Sequence, residues 1–237
     1  MSARKVRGDA LRAELARRFV LATERVSIGA VRVELMRPRD PEALIDENEF
    51  ARDERLPYWA DLWPSARVLA SDLVKMRGGG HRLLELGCGL GLVTIAAMHA
   101  GFEVLASDYY EDALRFTRAN ARTALGREPA TRLLDWRSLP DDLGRFDVVA
   151  AADVLYERAY GDLVASVIAR TLAKDGTALI ADPGRVAASA FVEACEREGL
   201  QVVGTEVRSY HAGTVRQRIA IYAVEWKTTT RRRPAHT

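Results

Sequence analysis

In LLELGCGLG, residues 83–91, the glycines Gly87, Gly89 and Gly91 fall within five positions directly after an apolar run. A turn of this kind between a strand and a helix lets the backbone approach a ligand closely. The helix N-terminus behind it offers free N–H groups to negative charge. Alone the turn is ambiguous, because nicotinamide, flavin and sulfonium cofactors all use such turns and some turns simply need glycine. Two acids narrow the choice. Asp108 closes the next β-rich run about twenty residues on, where a carboxylate can accept from both hydroxyls of an unphosphorylated ribose. Asp135, in LLDW, closes the third run, where a carboxylate can accept from an adenine amino group. Each acid taken singly could be a strand-end cap. Together with the turn they converge at the carboxyl edge of successive parallel strands, where ligands of such sheets bind. Glu85 lies inside the first strand, and a buried acid is costly without a partner. It should reach a ligand amine or an ordered water.

To gather these residues at one edge, the chain must alternate strands and helices, and from residue 82 onward its pattern does so. Strands are predicted at 82–86, 102–107, 131–134, 146–151 and 177–181, the last entered by a turn at Gly176. Helices are predicted at 90–100, 111–125, 160–172 and 186–198, with Gly101, Gly126 and Gly199 as stops. This rhythm implies α/β architecture, a doubly wound and mostly parallel sheet with helices on both faces. The last two runs, 200–207 and 215–226, have no helix between them and should pair antiparallel, giving seven strands with a terminal antiparallel one. Ahead of this domain, assigned to 58–227, residues 1–57 form an extension. It holds a helix at 10–22, an edge strand or hairpin at 26–35, and a polar loop at 38–57. A helix should start near Pro64, proline being acceptable in a first turn. Residues 228–237 are a basic tail.

A chain of 237 residues with 48% hydrophobic and 29% charged residues is an ordinary globular composition. Net charge is only +2, and the basic excess is concentrated at Arg231–Arg233, so no stable nucleic-acid binding is expected. Cys88 sits in the glycine turn and Cys195 in a helical pattern, which argues against a disulfide framework and for a reducing, cytoplasmic setting. No apolar run approaches the ~20 residues needed to span a bilayer, and the first residues lack an apolar leader core. No histidine pairs with a cysteine or acid at metal-ligand spacing, so no metal is expected.

The motifs ELGCGLG, the Asp108 position, LLDW and ADVLY at the end of the fourth strand resemble the class I S-adenosylmethionine-dependent methyltransferases over residues 58–226. More narrowly, PYWADLWP, the DxxY set Asp153-Val154-Leu155-Tyr156 and the ADPGR that ends at Arg185 are similar to the seven-strand protein-lysine methyltransferases. Within these the similarity is greatest to the branch acting on the electron transfer flavoprotein β-subunit. The resemblance implies the Rossmann-like methyltransferase fold and S-adenosylmethionine as cofactor, with S-adenosylhomocysteine as product. It implies Glu85, Gly87, Cys88, Gly89 and Gly91 around the methionine portion, Asp108 on the ribose and Tyr109 against the adenine. Asp135 and the Trp136 backbone would meet the adenine edge, and Trp63 would border the cofactor. Asp153 and Tyr156 would lie nearest the transferred methyl, and Arg185 would face the substrate. Against this, Trp59 and Trp63 could be core aromatics, and Tyr156 could merely pack at the start of a loop.

The implied acceptor is a lysine of a protein, with a small amine as the alternative. Lysine is neutral only about one time in a thousand near pH 7.4, a deficit of about 4 kcal/mol. Desolvation by aromatic walls lowers its pKa, whereas a neighbouring Asp153 raises it. Asp153 is therefore assigned to orientation and capture, with the proton leaving to water. The acidic segment DENEFARD, 46–53, could attract a basic protein or could be a solvated loop. A nicotinamide-dependent reductase would need a Tyr-x-x-x-Lys pair, and neither Tyr156 nor Tyr160 has that lysine. A catalytically silent scaffold is disfavoured by the acids at 85, 108, 135 and 153. No NPPY-type tetrapeptide follows the fourth strand, which disfavours amide or exocyclic adenine acceptors. The oligomeric state has no signal in the sequence.

Overall fold

The structure, a computed structural model, describes residues 3–44 and 56–228. The acidic segment 46–53 and the arginines 231–233 lie outside the described residues. Seven strands form one sheet: β3 (Arg82–Leu86), β4 (Glu103–Asp108), β5 (Ala130–Leu133), β6 (Phe146–Ala152), β7 (Leu172–Asp182), β8 (Leu200–Ala212) and β9 (Val215–Trp226), in the order β5-β4-β3-β6-β7-β9-β8. The first five in that order run parallel, and β9 pairs antiparallel with both β7 and β8. The expected antiparallel pair is present, but β9 is inserted between β7 and β8, so the sheet edge is β8. Winding reverses at β3, whose neighbours are β4 and β6, and this makes the crevice above β3 the switch point of the sheet.

Strand side chains alternate between two layers, as a period of two requires. Leu84, Leu86, Val149, Ala151 and Ile180 pack with α5 (Arg158–Thr171) and α6 (Ala188–Arg197) on one face. On the other, Leu83, Val148 and Ala150 pack with α2 (Pro64–Leu73) and α3 (Leu92–His99). From Leu92 to Met98 every residue of α3 is buried, matching its apolar sequence. By contrast α4 (Glu111–Leu125) is amphipathic, opens with Glu111 and Asp112 where the helix dipole favours acids, and ends at Gly126 in the left-handed conformation.

Local structure departs from the sequence reading at several places, among them β8, which runs past the predicted end at 207 to Ala212 because its pairing with β9 continues that far. The first helix, α1 (Ala3–Arg18), stops before residue 22, because β1 (Leu21–Ile28) begins there and pairs with β2 (Val31–Pro38). The pair is a separate two-stranded hairpin and extends no edge of the large sheet. Phe19, in the break, packs against Trp59 and Phe116. Gly176 lies inside β7, where a Cβ would sit 2.8 Å from the Asp147 carbonyl oxygen. The strand therefore needs glycine for close approach, and a register shift opposite Phe146 and Val148 absorbs the extra residues. Asp135 lies two residues beyond the end of β5, in the loop that follows.

The hairpin is tied to the ligand edge through one buried side chain. Asn120 Oδ1 accepts from the Met36 N–H at 2.8 Å, while Nδ2 donates to the carbonyls of Met36 and Leu90, both at 2.9 Å. Every polar atom of a fully buried amide is thereby paired, which rigidifies the glycine turn from behind.

Candidate active site

A cavity of about 710 Å³ opens at the carboxyl ends of β3, β4 and β6, a size suited to a cofactor and part of an acceptor. One end is made by the turn from β3 into α3. Gly87, Gly89 and Gly91 have φ of 69°, 50° and 85°, and Gly91 caps α3 in the left-handed region. A Cβ at Gly91 would meet both Cα and Oγ1 of Thr117 at 2.9 Å, so α4 packs directly on the turn. The turn is also held by Asp108. Its Oδ2 accepts from the Gly89 N–H at 2.9 Å and its Oδ1 from the Tyr110 N–H at 3.0 Å. The Tyr109 N–H also acts on this carboxylate, and the lone-pair capacity left over is open to a ligand. Burial pushes the Asp108 carboxyl up to about 6, against the lowering effect of those N–H donors.

Beneath the turn Glu85 is buried, and its Oε2 accepts from the Thr94 hydroxyl in the first turn of α3. Burial, with the nearby Asp108 charge adding to it, raises the Glu85 carboxyl to about 8. At neutral pH an acid so placed stays largely protonated until a cation comes beside it. Cys88 contributes backbone to the turn, while its thiol points into the core, where Thr117 Oγ1 donates to Sγ at 3.3 Å. Burial raises that thiol well above its usual range, which leaves it inert as a nucleophile.

At the far wall Asp135 and Trp136 border the cavity with Tyr109. The Asp135 carboxylate is forked by Arg137, whose Nε and Nη2 donate at 2.9 and 2.7 Å. A ligand amine would share this carboxylate with Arg137, a partner the sequence reading did not give it. From Trp136 an aromatic row crosses the cavity. Tyr160 lies 6.0 Å from Trp136 between ring centroids, Tyr156 4.4 Å from Tyr160, Tyr58 5.3 Å from Tyr156, and Trp63 5.9 Å from Tyr58. Tyr58 and Tyr160 were not assigned a role from sequence. The available signal was a second tyrosine four residues after Tyr156, which itself precedes α5. Trp59 takes the core reading: it is buried against Phe116 at 5.5 Å.

Asp153 has φ 59°, the one non-glycine residue with positive φ among the described residues. Its Oδ2 accepts from the Ser65 N–H in the first turn of α2 at 3.1 Å. Its Oδ1 accepts from Arg185 Nη2 at 3.0 Å and Nε at 3.2 Å. Strained backbone at a ligand cavity is commonly functional. Arg185 itself does not border the cavity. It lies against two residues that do, Asp153 and Trp63, with its guanidinium carbon 5.3 Å from the Trp63 ring centroid. Its backbone is fixed by buried Asp182, whose Oδ1 accepts from the N–H groups of Gly184 and Arg185 at 2.8 and 2.7 Å. Thus the structure gathers all ten expected cofactor residues together with Asp153 and Tyr156 around one cavity, and leaves Arg185 in contact only through its neighbours.

Residues 55–198 match the sequence model of a family described as lysine methyltransferase. The chain is 33% identical over 138 residues to the electron transfer flavoprotein beta subunit lysine methyltransferase of Xenopus laevis, covering 54% of this chain and 53% of that one. It is 32% identical over 139 residues to protein-lysine N-methyltransferase rrg1 of Schizosaccharomyces pombe, covering 52% and 46%. The chain thus spans about half the length of the curated relatives it matches. Among solved structures, magnesium protoporphyrin IX methyltransferase from Synechocystis superposes with a TM-score of 0.54 at 20% identity, over 76% of this chain and 86% of that one. That likeness is one of fold.

Proposed function

The chain belongs to the lysine methyltransferase family, and we propose that it methylates the side-chain amine of a lysine presented by a protein, using S-adenosylmethionine. The observation that carries this reading is a single cavity with a sugar-and-amine end, Glu85 and Asp108, and an aromatic end, Tyr58, Trp63 and Tyr156, that abuts Asp153.

S-adenosylmethionine fits the first end. Glu85 is a buried acid with one side-chain partner, and a ligand ammonium would stabilise its ionised form. Asp108 keeps lone-pair capacity for a ribose hydroxyl, and the glycines of the turn leave room for the methionine backbone. Asp135, Trp136 and Tyr109 stand where the adenine would lie, and Trp63 borders the methyl end. The bound cofactor supplies an electrophilic methyl on a sulfonium, for in-line displacement by a lone pair.

The chain's own contribution is placement and exclusion of water. The aromatic row takes the aliphatic stem of lysine and desolvates its nitrogen, favouring the neutral amine. Asp153, fixed by α2 and Arg185, orients the acceptor beside Tyr156. The proton leaves to water, since a carboxylate already accepting from the Ser65 N–H and from Arg185 is poorly placed to take it. The same reading places the protein in a reducing compartment such as the cytoplasm, supported by Cys88 and Cys195 both being free and buried.

The test is labelled S-adenosylmethionine with purified protein and a cell lysate. The electron transfer flavoprotein β-subunit, named as substrate of the Xenopus relative, is the first purified acceptor to try. Label recovered as methyl-lysine supports the reading. Label only in small molecules favours a small amine, and failure to bind S-adenosylhomocysteine overturns the cofactor assignment.

A further inference from the structure

Asp153 carries a negative charge at the acceptor end, and a bare carboxylate there would work against the reaction. It would hold lysine as its ammonium, which has no lone pair to give. The structure answers this with a cation of its own. Arg185 donates to Asp153 Oδ1 from both Nη2 and Nε, and its guanidinium also lies over the Trp63 ring. A carboxylate and an indole face are the two features that recognise an alkylammonium. Arg185 thus satisfies the groups an acceptor ammonium would seek, from the side away from the cavity.

We propose that Arg185 decides which form of the acceptor the site takes: with its guanidinium held on Asp153, the cavity admits the neutral amine of lysine and turns away the ammonium. This rests on the lysine-methylating reading above.

The charges facing Asp153 support the assignment. From the turn after β7 comes Arg185, its side chain 30% exposed against 4% for Asp153. The N-terminus of α2 faces it through the Ser65 N–H. From the end of β7 comes Asp182, buried, with Tyr222 of β9 beyond it. Arg185 is the one cation paired with Asp153 among the described residues. Without it, Asp153 would face the acceptor end with only the N-terminus of α2 to offset its charge, and with the buried acid Asp182 behind it. An ammonium would then be captured and kept protonated. With it, the acceptor loses its proton to bulk water before or on entry, and the nitrogen–carbon bond forms as the sulfur–carbon bond breaks. The sulfonium's positive charge passes to nitrogen in that step, so the product forms as a methylammonium, and the paired Asp153 gives it no reason to stay.

Arg185 is therefore a positioning residue that acts through Asp153, and its signature is a pH dependence. The probe is n-butylamine, titrated by ligand-observed NMR into protein saturated with S-adenosylhomocysteine, between pH 7 and 9.5. Wild type takes the neutral amine, so its apparent affinity should climb about tenfold per pH unit. In Arg185→Gln the freed carboxylate takes the ammonium. Affinity at pH 7 should rise about tenfold or more and become nearly flat with pH. Arg185→Lys keeps a cation and should retain the wild-type slope, while Asp153→Asn added to Arg185→Gln should abolish the gain. Equal slopes in wild type and Arg185→Gln, or no binding by either, overturn the proposal. If every form binds S-adenosylhomocysteine and the slopes agree, only this inference falls. If wild type does not bind it, the underlying reading falls as well.

Discussion

At the cofactor end of the cavity, Glu85, the glycine turn and Asp108 come from one continuous β3–α3–β4 unit. At the acceptor end, Tyr58, Trp63, Asp153, Tyr156 and Arg185 come from three separated segments, joined by a Trp63–Arg185–Asp153 bridge. The first end is held by backbone: N–H groups of residues 89 and 110 on Asp108, and α4 packed against Gly91, where a Cβ has no room. The second is held by side chains whose charges and rings satisfy one another. Backbone-held ends break all at once when their geometry is violated, whereas side-chain-held ends should lose chemistry and keep binding.

Gly91→Ala tests the backbone-held end most severely. The new Cβ would sit 2.9 Å from the Thr117 Cα at φ 85°. Overpacking of this kind costs roughly 1–3 kcal/mol and a left-handed non-glycine residue about 1–2 more. Calorimetry should show a melting temperature lowered by many degrees and no measurable S-adenosylhomocysteine binding. Next in size, Asp153→Asn should cut turnover by about a hundredfold, from loss of the paired group that orients the acceptor, with S-adenosylhomocysteine affinity held within about twofold. Asparagine tolerates the left-handed backbone of this position. Equal loss of both quantities would move Asp153 into the cofactor end and erase the contrast.

The same contrast explains what could be read before the fold was known. Glu85, Asp108 and the three glycines follow one another along a strand–turn–helix–strand pattern, so their convergence follows from periodicity and from where parallel sheets bind ligands. Five of the seven core strands lie within one residue of their predicted bounds, because apolar alternation fixes them, while β7 begins five residues earlier and β8 ends five residues later than predicted. Gly176 read as a turn because a glycine needed for close approach looks the same in sequence as one needed for a bend. The helix at the N-terminus ran too far because pairing with β2 overrides helix propensity at residues 21 and 22. Arg137 on Asp135, Asn120 between hairpin and glycine turn, and Arg185 on Asp153 were not legible, since each depends on rotamers and tertiary neighbours. Arg185 was assigned to the substrate through resemblance, and its contacts with Asp153 and Trp63 appear only in three dimensions.

Glu85→Gln sharpens the comparison through pH. The folded protein holds the Glu85 proton up to about pH 8, the unfolded chain only to its ordinary value of 4.5. Between those limits the folded state binds more protons, so the stability of the ligand-free protein falls as pH rises through that window. Glutamine mimics the protonated acid and removes this slope. Ligand-free Glu85→Gln should therefore melt above wild type at pH 8.5 and level with it near pH 5. Cofactor binding should move the opposite way, weakened about ten- to a hundredfold by loss of a charge-assisted hydrogen bond. Wild-type affinity should rise toward pH 8 and level off beyond, and the variant's should be flat. A wild-type affinity independent of pH would place the ligand's amine elsewhere.

The smallest effect belongs to Asp135→Ala, at the periphery of the cofactor end. Its carboxylate is about a third exposed and already forked by Arg137, and exposed ion pairs contribute about 0–1 kcal/mol. A ligand amine there would gain only part of a hydrogen bond, so S-adenosylhomocysteine affinity should fall by about fivefold at most. Turnover at saturating cofactor should be unchanged, because nothing at Asp135 touches the acceptor end. A larger loss of affinity would mean that Arg137 lets go of Asp135 when the adenine arrives. The adenine wall would then depend on a side-chain exchange, as the acceptor end does, and the division into a backbone-held end and a side-chain-held end would run through the middle of the cofactor instead of beyond its methyl group.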